Sequence, residues 1–362
     1  MLDQIVLEDL KRVCRVPKAR SLKGESALIT GGAGFLGSWL SDALVKLGIN
    51  LVCVDDLSSG SLDNIAHLKE SLNFKFIRAD VEEMGKIMPK NEFKLVLHLA
   101  SRASPEDYQA HPIETLKANS VGTLEALDIA RKHDSLFLLT STSEIYGDAK
   151  VIPTPESYWG NVNPIGLRSP YDEGKRFSEA LCKAYERKHG LDIRIVRIFN
   201  TYGPRLRPES LYGRAVSRFI AQAVKDRDIT VYGDGSQTRS FCYATDTIRA
   251  ILCILTNEKA HGEVFNIGNP DEISILGLAK KIKALARSNS RITFHPLPHD
   301  DPRRRCPDIS KARRMLNWQP EFSLDSGLRR TISWFLMNRN PRKASFLKNK
   351  QVVGKKCTKL QL

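Results

Sequence analysis

Eight residues near the start of the chain, Thr30-Gly31-Gly32-Ala33-Gly34-Phe35-Leu36-Gly37, join a short apolar run at 27–30 to an amphipathic stretch at 34–47. A glycine-rich turn between a strand and a helix lets backbone approach a pyrophosphate closely, and the helix N-terminus adds free N–H groups and positive potential. The spacing is G-x-x-G-x-x-G rather than G-x-G-x-x-G, and taken alone such a turn also closes ordinary strand–helix connections. The context decides. A second apolar run at 51–55 ends in Asp55-Asp56, about twenty residues on, where a carboxylate accepts a ribose hydroxyl. A carboxylate there repels a 2′-phosphate, which predicts NAD rather than NADP.

The same rhythm continues for another 150 residues or so. Strand-like runs at 74–79, 95–100, 136–140 and 193–199 alternate with helical patterns at 113–132 and 171–189. Strands alternating with helices pair in parallel through right-handed crossovers. The predicted fold class is therefore α/β, a doubly wound parallel (Rossmann) sheet with a smaller C-terminal substrate lobe. After Asn200 the rhythm breaks into a Pro- and Arg-rich loop, a helix at 214–225, a short strand at 229–232 and the turn Gly233-Asp234-Gly235. A helix at 246–256 and a strand at 264–267 read as a return to the main sheet, and helices at 275–286 and 324–336 complete the lobe. The expected organisation is an N-terminal extension over 1–24 and a dinucleotide domain over 25–204 with return segments near 240–268. Residues 205–338 form mainly the lobe, and 339–362 a basic, frayed tail.

The formal charge of +15 invites a nucleic-acid reading until it is mapped. Residues 339–362 carry eight Lys or Arg and no acid, and residues 1–24 carry six basic and three acidic side chains. The remainder holds 42 basic against 38 acidic residues, so a nucleic-acid partner is not expected and the tail reads as a solvated terminus. No run approaches the ~18 apolar residues of a membrane-spanning helix. The first residues lack a basic segment followed by an apolar stretch, which predicts no secretory signal and a cytoplasmic setting. Seven scattered Cys with no Cys-x-x-Cys pair fit a reducing compartment. Neither His nor Cys clusters at a ligand spacing, so no metal is expected.

Tyr171 and Lys175 are four apart at the start of a long amphipathic helix and share one of its faces. A phenol ionises near 10, too high for a base at neutral pH. A nearby ammonium and the positive nicotinamide favour phenolate, which makes Tyr171 a base for a substrate hydroxyl and Lys175 a holder of the cofactor ribose. Without the upstream glycine turn, the same pair would read as a packed ring and a solvated amine. The fifth strand runs out into Ser141-Thr142-Ser143-Glu144. Strand C-termini of open α/β sheets face the ligand crevice, so these hydroxyls and the carboxylate suit a sugar and its protons; the competing role is a cap or turn.

These motifs resemble the extended short-chain dehydrogenase/reductases, and among them the UDP-glucuronate decarboxylases. The resemblance runs in order from the glycine turn through His98-Leu99-Ala100-Ser101, Ser141–Gly147, Tyr158-Trp159-Gly160-Asn161-Val162-Asn163-Pro164-Ile165-Gly166, Tyr171–Arg176, Arg197–Arg205, Val231–Arg239 and Arg305-Cys306-Pro307-Asp308-Ile309. The block at 158–166 is its most specific part. The resemblance implies an intramolecular redox cycle on UDP-glucuronate: oxidation at carbon 4, loss of CO₂ from the resulting β-keto acid, protonation at carbon 5 and re-reduction to UDP-xylose. It implies catalytic roles for Tyr171, Lys175, Thr142, Ser143, Glu144 and Arg239. Thr142 would bond the reacting hydroxyl, Glu144 would sit near carbon 5, and Arg239 would face the carboxylate or donate the last proton through water. For the cofactor it implies Gly31, Gly34, Phe35, Leu36, Gly37, Asp55, Asp56, Ser59, Gly60, Asp80, Val81, Leu99, Ser101, Thr201 and Arg214, besides Tyr171 and Lys175. For the UDP-sugar it implies Lys117, Asn200, Tyr232, Arg239 and Arg305, with Asn200 and Arg305 at the diphosphate and uridine. A homodimer through the helices at 113–132 and 171–189 is implied by the same analogy.

Three other readings compete. A nucleotide-sugar 4,6-dehydratase uses the same ketone but carries Asp where this chain has Ser143, and a 4-epimerase has no evident use for Glu144 or the 158–166 block. A non-catalytic dinucleotide sensor needs the glycine turn but not Tyr171 and Lys175.

Overall fold

The computed structural model describes residues 3–87, 92–207, 215–298 and 300–339. Seven strands, β1 (Ser26–Thr30), β2 (Asn50–Asp55), β3 (Phe74–Arg78), β4 (Leu95–His98), β5 (Leu136–Thr142), β6 (Ile193–Ile198) and β7 (Val264–Ile267), form one sheet in the order 3-2-1-4-5-6-7. Every neighbouring pair is parallel. β5 runs to Thr142, two residues beyond its predicted end, which carries the polar Ser141 and Thr142 into the ladder beside Arg197 and Ile198. The fold class is the predicted one: a doubly wound sheet that reverses direction between β1 and β4.

Both faces of the sheet are covered, so its strands read as continuous apolar runs rather than alternating ones. On one face Ala27 and Ile29 pack with Trp39, Leu40 and Leu44 of the helix after the glycine turn, α2 (Phe35–Lys46). On the other, Leu28, Val54, Phe137 and Leu139 meet Ala126 and Leu127 of α3 (Pro112–Lys132) and Cys182 of α4 (Ser169–His189). α3 and α4 also pack against each other.

The segment set apart in the sequence as an extension joins this core. α1 (Gln4–Val13) buries Val6, Leu10 and Val13 against the sheet's first layer, and Asp9 on its inner face is fully buried. Its apolar stripe at 6, 10 and 13 is the i, i+4, i+7 pattern of one helix face, masked in the sequence by the surrounding charge. Residues 340–362, expected to form the tail, lie outside the described residues.

The lobe holds α5 (Ala215–Val224), two parallel strand segments at Ile229–Tyr232 and Ile292–His295, and a three-stranded patch of Glu272–Ser274, Thr238–Ser240 and Arg304–Arg305. The chain returns to the main sheet through α6 (Ala244–Leu255) and β7. Helices α7 (Ile275–Ala286) and α8 (Leu324–Arg339) then pack with α5 around Phe219, Ile220, Leu278 and Phe335. The C-terminal ends of β1 to β6 therefore open toward a cleft whose far wall is this lobe.

Candidate active site

A cleft of about 930 Å³ runs between the sheet and the lobe. Its floor is the glycine turn. Gly31 has a φ of +68°, and a Cβ there would lie 2.8 Å from the backbone of Ala100. A Cβ on Gly37 would fall 2.0 Å from the Gly31 carbonyl oxygen, so the turn and the first turn of α2 fit together only as bare backbone. Asp55 pins this arrangement: its carboxylate accepts from Ala33 N at 2.9 Å and from Leu57 N at 2.8 Å. Burial raises its pKa above the ordinary carboxylate value, against the pull of those two N–H bonds. Asp55 is thus a brace for the glycine turn, and each of its carboxylate oxygens keeps a free lone pair.

All other residues expected to contact the dinucleotide line the cleft, apart from Gly60 and Arg214. Gly60 sits against the Asp55 carboxylate, and its carbonyl accepts from Arg207 of the lobe at 2.5 Å. Arg214 lies outside the described residues. Asp80 caps the turn after β3 through Glu82 N, and Thr201 Oγ1 is 2.8 Å from Thr247 Oγ1. Ser101 Oγ and Asn200 Nδ2, both on cleft residues, are buried without hydrogen-bond partners; buried polar atoms demand partners, so the cleft suits a polar ligand.

At the middle of the cleft Lys175 is almost fully buried and donates to the Thr140 carbonyl at 2.9 Å. Burial lowers its amine to about 8. Below it His98 is sealed between Thr30 Oγ1 (2.9 Å) and Thr123 Oγ1 (3.2 Å), and burial, then the charge of Lys175, lowers its ring to about 3. It is a neutral peg joining β1, β4 and α3. Tyr171 is buried, and its ring lies flat against Tyr108, with centroids 5.3 Å apart and planes 3° from parallel. Sequence reasoning missed Tyr108, because it stands 63 positions earlier on a short helix with no motif of its own.

The end of β5 divides its labour. Ser141 Oγ donates to Glu179, which also takes both ends of Arg197, so Ser141 is committed to the scaffold. Thr142 Oγ1 accepts from Glu144 N at 3.2 Å, capping the turn, and keeps its own hydrogen as a donor toward the cleft. Ser143 is buried on the same wall. Glu144 is gripped from two sides. Arg305 Nη2 donates to its Oε2 at 2.7 Å and Nη1 to its Oε1, while Arg168 Nη2 reaches the same carboxylate. Burial pushes the Glu144 carboxyl up, but the two guanidiniums more than offset this and hold it well below the ordinary range.

Arg305, expected at the diphosphate and uridine, lines the cleft with its guanidinium on Glu144. Arg239 lies on the same side and donates to Asp301 Oδ2 at 2.9 Å. Tyr232 lines the lobe wall, and Lys117 stands at the rim, 3.3 Å from Glu82. Arg168, Asp172 and Asp301 complete the charged cluster and were not singled out in the sequence. Arg168 sits three residues before Tyr171, and that offset was the one local signal available.

A profile of the family described as GDP-mannose 4,6-dehydratase matches residues 28–331. UDP-glucuronic acid decarboxylase 1 of Arabidopsis thaliana is 45% identical over 324 residues, covering 90% of this chain and 73% of that protein. The chain belongs to the UDP-glucuronic acid decarboxylase family of extended short-chain dehydrogenase/reductases. Two solved structures share its shape. UDP-glucose 4-epimerase from Thermotoga maritima, solved with UDP-glucose, is 31% identical with a TM-score of 0.80, over 86% of this chain and 99% of that one. A dTDP-glucose 4,6-dehydratase from Streptomyces venezuelae, solved with NAD bound, is 26% identical with a TM-score of 0.79, over 87% and 98%. The chain thus shares its scaffold with dehydratase and epimerase structures while its sequence relatives are decarboxylases. Among the described residues no group of acidic, His or Cys side chains is placed to hold a metal, and no helix is long and apolar enough to cross a membrane.

Proposed function

We propose that this chain converts UDP-glucuronate to UDP-xylose and CO₂ with NAD as a resident cofactor. The observation that carries the reading is the joining, in one cleft, of a Tyr171–Lys175 pair with a carboxylate, Glu144, that is locked to two arginines. A plain epimerase or dehydratase has no sugar carboxylate for such a cluster to manage.

The glycine turn, Asp55 and the unpartnered Ser101 fit a dinucleotide. These residues would hold NAD, which would supply reversible hydride acceptance at carbon 4 of the sugar. Tyr171 accepts the carbon-4 hydroxyl proton and later gives it back. Lys175, still charged below about pH 8, supports its phenolate. Thr142 donates to the carbon-4 oxygen. Arg305 and Arg239 stand where negative charge gathers when the carboxylate leaves, a preorganised field that lowers the barrier. Glu144, held ionised by Arg168 and Arg305, has no proton of its own to give; it stands near carbon 5, where water supplies the proton. The uridine diphosphate then lies along the lobe wall by Asn200 and Tyr232.

We extend the reading to assembly: Ile113, Leu116, Val121 and Leu124 on α3 and Phe177 on α4 are exposed, and an apolar helix pair of this kind supports a homodimer. Six described cysteines are unpaired, which supports a reducing, cytoplasmic setting.

The test is incubation of purified protein with NAD⁺ and UDP-glucuronate. CO₂ and a UDP-pentose with no accumulated NADH are expected. Release of a stable 4-keto pentose with stoichiometric NADH would overturn the redox-neutral cycle, and no reaction would overturn the substrate.

A further inference from the structure

Six charged side chains meet at the sugar end of the cleft: Arg168, Arg239 and Arg305 against Glu144, Asp172 and Asp301. Two of the acids are bonded outright. Glu144 is held by Arg305 and Arg168, and Asp301 by Arg239 at 2.9 Å. Asp172 is not. It is 4% exposed, its Oδ2 is 4.0 Å from Arg168 Nε, beyond a hydrogen bond, and its Oδ1 has no partner. Arg168 faces both acids: its Nη2 donates to Glu144, while its Nε stands 4.0 Å from Asp172, an ion-pair distance without a hydrogen bond.

The groups facing Asp172 come from every side of its pocket. Glu144 approaches from the turn after β5, Arg168 from just ahead of α4, Arg305 from the lobe, Tyr108 from the short helix at Pro105–Ala110, and Glu173 from its own helix. Burial first, then the negative charge of Glu144, pushes its carboxyl up to about 8, against the pull of Arg168 and Arg305. With the proton kept on Asp172, the three guanidiniums outnumber the two carboxylates they are bonded to. A buried excess charge is costly until it is matched.

We propose that Asp172 serves as a neutral acid whose withheld charge leaves the arginine cluster one positive charge in excess, and that this excess selects a substrate bearing a carboxylate on carbon 5. The inference rests on the reading of UDP-glucuronate as substrate and adds to it the means of discrimination from UDP-glucose. A hydroxymethyl group leaves the excess unmatched; a carboxylate cancels it. Ionisation of Asp172 at high pH cancels it as well, so the two negative charges compete for one vacancy.

The sign is definite. Affinity for the carboxylate ligand is full below pH 8 and falls above it, while a ligand without the carboxylate gains nothing from the cluster at any pH. The measurement is calorimetric titration of the NAD-loaded Tyr171→Phe protein, in which turnover is suppressed, with UDP-glucuronate and separately with UDP-glucose. From pH 7 to pH 9 the Kd for UDP-glucuronate rises about tenfold and that for UDP-glucose stays within about twofold. Adding Asp172→Asn, which mimics the neutral acid, flattens the UDP-glucuronate curve. Equal pH dependence for the two ligands, or a rise that survives Asp172→Asn, overturns the proposal. If Asp172→Asn fails to bind NAD, the two-ligand comparison alone decides. Absence of wild-type turnover at pH 7 would instead overturn the substrate reading, so the two failures are separable.

Discussion

Glu144 and Arg305 stand 161 residues apart and on opposite walls of the cleft, yet their side chains meet end on, with Arg305 Nη2 donating to Glu144 Oε2 at 2.7 Å. The contact ties the edge of the nucleotide-binding sheet to the substrate lobe. It also places the acid and the cation of the sugar end in fixed register before any ligand arrives.

Removing the cation from this pair leaves a buried carboxylate with Arg168 alone. Arg305→Met is expected to cost about 3 kcal/mol in denaturant unfolding and to lower kcat by about 100-fold or more. A double-mutant cycle with Glu144→Gln should recover part of the stability but none of the rate. Additive stability losses would mean that the pair is not coupled.

Lys175 is charged at a cost. Its amine falls to about 8 because it is buried, so below pH 8 the folded state carries the full penalty of a desolvated charge. Between pH 8 and the unfolded value near 10.5 that penalty fades. Lys175→Met should therefore stabilise the cofactor-free protein by up to about 3 kcal/mol at pH 7, with the gain vanishing near pH 10.5, while turnover is lost. Thermal unfolding at pH 7, 9 and 10.5 checks the sign.

At the glycine turn the expected effect is on the cofactor rather than on the fold. Gly37→Ala puts a methyl 2.0 Å from the Gly31 carbonyl, and neither backbone segment can retreat without moving the turn off Asp55. NAD affinity, read by fluorescence titration, should fall at least about tenfold, with unfolding shifted by about 1–3 kcal/mol. Unchanged affinity would show that the turn is more pliable than its contacts imply.

The exposed face of α3 offers a test of assembly. Leu124→Arg or Val121→Glu should convert a dimer to a monomer in sedimentation velocity and leave the described hydrogen bonds of the cleft untouched. A wild-type protein that sediments as a monomer at micromolar concentration would refute the dimer.

Local patterns carried most of what was legible in the sequence. The glycine turn, Asp55, the Ser141–Glu144 strand edge and the Tyr171/Lys175 pair each occupy a few consecutive residues or one helix face, where spacing translates directly into geometry. The alternation of apolar runs and amphipathic stretches likewise translates into the parallel sheet. Arg305 was harder. Its position in the sequence says nothing of the 161-residue gap that the fold closes to bring it onto Glu144, and a cation in a nucleotide-sugar enzyme reads first as a phosphate ligand. Tyr108 was silent for the same reason: its contact with Tyr171 is made entirely by tertiary folding. Asp172 was in plain view beside Tyr171, but its missing partner becomes visible only when the competing claims on Arg168 are known.

Asp9 of α1 receives the Tyr243 hydroxyl at 2.7 Å and lies 2.9 Å from Arg330 of α8. This first helix thus acts as a rivet through the back of the molecule, clasping the sheet side and the lobe side on the wall opposite the cleft. A recombinant version trimmed to begin at Ser26 would strip Leu10 and Val13 from the interior and leave the Tyr243 hydroxyl without its acceptor and Arg330 without its counter-charge. The two walls would then lose their common hinge pin, and a reaction that depends on keeping a half-finished sugar enclosed would begin to leak.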